Sequence, residues 1–149
     1  MTNKEYLELF KEDVKRLSDE YDAKRTAEKV IFQNKKIKLI DCENLNRDKV
    51  LCIKCENTIE KEVLITFLKQ IGVKIKGEKA MDTLPILVDL YVQDDELFAS
   101  YYLWSPIETN GYIREKRALT FKDFKKYISE DIKLVIQKIQ RSTTMGGNN

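Results

Sequence analysis

The chain has no histidine, and that one absence removes a good deal of chemistry. Without imidazole there is no Ser-His-Asp or Cys-His arrangement, no His-ligated metal site and no acid–base catalysis by a group titrating near neutrality. Glycine is scarce, with only five residues, at positions 72, 77, 111, 146 and 147. None of them forms a phosphate-cradling P-loop or a GxGxxG turn between a strand and a helix, so nucleotide-fold chemistry is not expected. Long apolar runs are missing too. The longest, from Leu84 to Val92, is interrupted by Asp89 and is far too short to span a bilayer. Residues 1–30 carry no apolar leader or small-residue cleavage site, so the expectation is a cytoplasmic protein with no membrane role. The three cysteines, Cys42, Cys52 and Cys55, are an odd number for a disulfide framework and read as core thiols in a reducing compartment.

What is present points to a globular chain. Its 149 residues, 42% hydrophobic and 35% charged, suit a single domain that buries enough surface to fold without a metal or a disulfide. The formal net charge of +2 is a small difference between 27 basic and 25 acidic residues. It neither requires nor excludes a nucleic-acid partner. The basic set is 21 Lys against 6 Arg. Arg is favoured for bidentate contacts to phosphates and bases, so this bias fits solubility and an AT-rich genome, that of a low-GC bacterium, a phage or another mobile element.

Helical periodicity opens the chain. Leu7, Phe10, Val14, Leu17 and Tyr21 repeat at 3-4-3-4 spacing, a heptad seam. Thr2-Asn3-Lys4-Glu5 provides a capping box. With Ala27, Val30 and Ile31 continuing the pattern to Phe32, the expected helix is about 45 Å long at 1.5 Å per residue. That exceeds the width of such a domain, so the seam is a candidate surface for a partner or for self-association. Strand patterns follow at Ile37–Cys42 and Val50–Cys55. Asn57 then caps a helix whose apolar face is Ile59, Val63, Leu64, Phe67, Leu68 and Ile71, stopped by Gly72. Val73–Lys76 reads as an edge strand. Leu84–Val92 and Leu97–Trp104 form a hairpin across Gln93-Asp94-Asp95-Glu96, Asn110-Gly111 is a turn, and Tyr112–Leu119 a further strand. A last helix starts at Thr120-Phe121-Lys122-Asp123 and carries Phe124, Ile128, Ile132, Val135 and Ile139. The expected fold is α+β: one domain over residues 1–141, a mixed or antiparallel sheet of about five to six strands and three helices, followed by a flexible tail over residues 142–149.

Four groups of residues invite a chemical reading. Cys52-Ile53-Lys54-Cys55 is formally CxxC, but a structural zinc needs four ligands, and residues three apart on a strand face opposite ways. Asp94-Asp95-Glu96 lacks the alternate ligands and the glycine of a calcium loop and reads as a solvated turn. Asp41, Glu43, Lys54 and Glu56 lie on neighbouring strand patterns followed by a helix and a strand. Over residues 20–76 this order resembles the core of the PD-(D/E)XK nucleases, which implies Mg²⁺ held by an Asp and an E-x-K triplet. Position 52, however, is Cys where that family has an acid, which removes a metal ligand. Finally, Tyr102, Trp104 and Tyr112 stand close to Arg114, Lys116 and Arg117. Aromatics beside cations can stack bases and neutralise phosphates, although they equally make cores and protein interfaces.

The sequence reading is therefore a non-catalytic protein-binding or assembly module without metal or cofactor. Its partner is a protein or a second copy, reached through the seam Leu7, Phe10, Val14, Leu17 and Tyr21. The alternative is a nucleic-acid-binding protein using Tyr102, Trp104, Tyr112, Arg114, Lys116 and Arg117. A metal-dependent nuclease is the third.

Overall fold

The computed structural model describes residues 1–21, 49–77, 85–103 and 118–147. In chain order these form α1 (Asn3–Glu20), β1 (Leu51–Cys55), α2 (Thr58–Ile71), β2 (Lys74–Lys76), β3 (Ile86–Gln93), β4 (Glu96–Leu103), β5 (Leu119–Thr120), α3 (Phe121–Tyr127) and α4 (Glu130–Gly147). The five strands make one mixed sheet in the order β2-β4-β3-β1-β5. The chain is a single α+β domain whose helices all pack on one face of that sheet, where Leu51, Ile53, Val88, Leu90, Ala99 and Tyr101 meet the apolar faces of the helices.

Local chemistry explains most element boundaries. Thr2 accepts from the Glu5 N–H at 3.1 Å while the Glu5 carboxylate accepts from the Thr2 N–H at 3.1 Å, so the capping box is complete. These bonds from Thr2 hold the Glu5 carboxyl below its ordinary value. Asn57 caps α2 by accepting from the Glu60 N–H at 2.9 Å. At the other end Gly72 takes φ +91°, and the Val73 N–H reaches the Leu68 carbonyl at 2.9 Å, a Schellman closure that needs the left-handed residue. Asp94 and Asp95 both have positive φ (53° and 62°), as a two-residue type I′ hairpin turn between Gln93 and Glu96 demands.

Several expectations need correction. The first helix does not run on to Phe32: it ends at Glu20, with Tyr21 (φ −120°, ψ 40°) outside helical geometry. At 18 residues it is about 27 Å long, which a domain of this size can cover. The last helix is two, so the described residues form four helices rather than three. Ile128 is extended (φ −79°, ψ 164°), which breaks the helix and turns its side chain into the core. Residues 142–147 belong to α4. β5 pairs in parallel with β1 at one edge of the sheet, Ile53 facing Leu119. The expected strand Ile37–Cys42, and all but the end of Tyr112–Leu119, lie outside the described residues.

Candidate docking surface

The heptad seam of α1 lies mostly inside the molecule. Phe10, Val14 and Leu17 are buried. Phe10 meets Phe67 edge to face at 4.9 Å between ring centroids and Phe124 at 6.0 Å, geometry that adds to the stabilisation from burial itself. Leu7 and Tyr21 are half-buried against the same core. Tyr21 stacks on Tyr127 at 5.9 Å, and burial, then the neighbouring Tyr127, raises its phenol above the ordinary value. The three middle residues of the seam thus have no surface to offer a partner. A repeat at 3-4 spacing specifies an apolar stripe; it does not say whether the stripe packs within its own chain.

The polar face of α1 is engaged as well. Asp13 is buried, and one of its carboxylate oxygens accepts from both the N–H (3.0 Å) and the hydroxyl (2.9 Å) of Ser129. The other accepts from Arg16 at 3.1 Å. Arg16 also donates to the Tyr127 carbonyl at 2.6 Å. Ser129 is where α4 starts, because its carbonyl accepts from the Lys133 N–H at 3.0 Å. One carboxylate from α1 therefore sits at the N-terminus of α4, where the helix dipole favours negative charge, while Arg16 satisfies a carbonyl at the end of α3. Ser129-Glu130-Asp131, a capping residue followed by two acids, was the sequence signal for this second helix start.

Lys11, also buried, donates to the carbonyl of Asp95 at 3.1 Å and pairs with Glu8 at 3.0 Å and the Asp95 carboxylate at 3.4 Å. These partners, Glu8 foremost, raise its ammonium above the usual range against the opposing effect of desolvation. Lys15 pairs with Glu12 at 3.3 Å, and Lys49 pairs with Asp19.

The other sequence candidates fall as follows. Cys52 and Cys55 point to opposite faces, Cys52 against Leu87 and Cys55 into the main core. Desolvation pushes the Cys55 thiol up to about 12, so it is neither a ready nucleophile nor a ready metal ligand. Cys42, Asp41 and Glu43 lie outside the described residues. Lys54 and Glu56 sit at the end of β1 with their charged groups 3.7 Å apart. Among the described residues no cluster of three metal-ligating side chains occurs and no helix is long and apolar enough to cross a membrane. Tyr102 is on β4 opposite Leu87, whereas Trp104, Tyr112, Arg114, Lys116 and Arg117 lie outside the described residues. On the face of the sheet away from the helices, Phe98 stacks on Tyr91 at 5.6 Å and has the Lys76 ammonium 4.9 Å from its ring centroid.

A groove that sequence reasoning missed opens between the start of α1, α2 and the second half of α4. It encloses about 760 Å³. Val135, Ile139 and the half-buried Tyr6 give it an apolar floor, and Thr66 and Gln70 of α2 form a polar wall. Leu134, 59% exposed, stands on its rim. Lys138 and Arg141, one helical turn apart, are exposed beside it. Among the described residues no carboxylate lines the groove, and neither cation is in an ion pair. The signal in the sequence was Leu134-x-x-x-Lys138-x-x-Arg141, a stripe next to the core stripe Ile132, Val135, Ile139. Comparison of the chain with protein-family models, with curated proteins and with solved structures finds no match.

Proposed function

We propose that this chain is a non-catalytic protein-binding module. What supports the reading is the groove between α2 and α4: an apolar floor, an exposed Leu134 and two cations without an ion-pair partner among the described residues. Charged groups elsewhere on the helical layer are largely matched within the chain, as Lys11, Lys15 and Arg16 are. An apolar centre with a polar, charged rim is the usual make-up of a protein interface.

A pull-down from lysate of the native host, with and without nuclease, tests the reading. A partner protein retained in stoichiometric amount after nuclease treatment supports it. Loss of everything on nuclease treatment favours the nucleic-acid alternative. Cleavage of DNA or RNA in Mg²⁺ or Mn²⁺ that disappears in both Lys54→Ala and Glu56→Ala would replace it with the nuclease reading.

A further inference from the structure

Resting on that protein-binding reading, we propose that the α2/α4 groove takes an acidic amphipathic segment of its partner, with apolar side chains over Tyr6, Val135 and Leu134 and carboxylates against Lys138 and Arg141. The commitment to an acidic occupant comes from charge. Both cationic side chains at the groove are exposed, and among the described residues both lack an ion-pair partner and no carboxylate lines the space. A basic or strongly neutral segment would leave them uncompensated, while an acidic one gains both the contact and faster encounter. The commitment to an amphipathic segment comes from the floor. Val135 and Ile139 are almost fully buried, each 8% exposed, and Leu134 at 59% continues their apolar surface outward. A helix laid across such a surface places an apolar residue every three to four positions over it and leaves its flanks free for carboxylates.

Nucleic acid fits the same groove less well. Two cations neutralise about two phosphates, which gives a salt slope of only about −1.4 to −1.8 on a logarithmic scale and correspondingly weak binding. Among the described residues Tyr6 is the single aromatic side chain on the lining, and it is half-buried, so these residues offer successive bases no platform on which to stack.

The test uses the full chain as bait for a displayed library of random 16-residue peptides. Enriched peptides are synthesised and titrated by fluorescence anisotropy against wild type, the double variant Lys138→Glu/Arg141→Glu, and Leu134→Asp. The expected peptides carry net negative charge with apolar residues at helical spacing. Their affinity should fall at least about tenfold in both variants, with melting temperatures unchanged because all three side chains are exposed. Reversing the charges of a peptide should restore its binding to the double variant. Failure to enrich any peptide, enrichment of neutral or basic ones, equal affinity for wild type and variants, or displacement by a single-stranded oligonucleotide would each overturn the proposal. If a lysate partner binds wild type and double variant alike, the protein-binding reading survives and this groove is not its site.

Discussion

The two halves of α4 meet α1 in opposite ways. At its N-terminal end, Asp13 and Arg16 of α1 satisfy the Ser129 N–H and the Tyr127 carbonyl, and the donors and acceptors at the helix break are matched inside the chain. Toward its C-terminal end, Tyr6 of α1 stands across a groove from Lys138 and Arg141, whose charges have no ion-pair partner among the described residues. The same two helices are thus closed at one end and open at the other. On the proposed reading the difference separates stability from binding: substitutions at the closed end should destabilise the protein, and substitutions at the open end should leave it folded but change what it binds.

The largest effect should come from the seam on the closed side. Phe10→Ala removes a fully buried ring that touches both Phe67 and Phe124, and should cost about 3–5 kcal/mol of unfolding free energy in urea titrations. Of the five seam residues, Leu7 is the one whose truncation near the open end should cost clearly less, since it is only half-buried. Equal losses at both positions would break the comparison.

Asp13→Ala should rank next. It strips the start of α4 of its carboxylate partner and leaves the Ser129 N–H without its acceptor, at about 1–3 kcal/mol. Chemical-denaturation midpoints measure this directly. A loss no larger than that of an exposed surface substitution would mean the clamp is not what holds the break between α3 and α4.

A smaller effect, with a defined pH signature, belongs to Lys11. Its ammonium is raised above the ordinary value of 10.5 by Glu8 and Asp95. The stabilisation is therefore fully present below pH about 10.5 and is lost as pH rises through the folded value. For a pair whose acidic partners are exposed to solvent it should be below about 1 kcal/mol. The stability gap between wild type and Lys11→Met should be visible at pH 8 and should narrow at pH 11. A gap that widens with alkalinity contradicts the assignment.

How far the sequence revealed this molecule follows the same division. Elements set by local chemistry were legible: the Thr2/Glu5 box, the Asn57 cap, the Gly72 stop and the turn at Asp94-Asp95 all stand where side-chain and backbone rules put them. Features set by distant contacts were not. Ser129-Glu130-Asp131 marks a helix start locally, but the clamp on the break at Ile128 comes from Asp13, 116 positions from Ser129, and no window over residues 120–140 contains that residue. β5 pairs with β1 in parallel although α2 and strands β2–β4 separate them along the chain, which strand alternation alone does not encode. The seam of α1 was read correctly as an apolar stripe, but its burial against Phe67 and Phe124 is a tertiary fact. The groove escaped notice because Leu134, Lys138 and Arg141 become a surface only once α2 supplies Thr66 and Gln70 as the opposite wall.

The central proposal is that α4 takes a partner at its open, C-terminal end and not at its closed, N-terminal end. Isothermal titration of a library-selected acidic peptide into wild type and Lys138→Glu/Arg141→Glu, alongside thermal melts of both, addresses it most directly. The account predicts an affinity loss of at least about tenfold with a melting temperature within the small range expected of exposed substitutions. Unchanged affinity in a folded double variant, or a variant that unfolds, contradicts it.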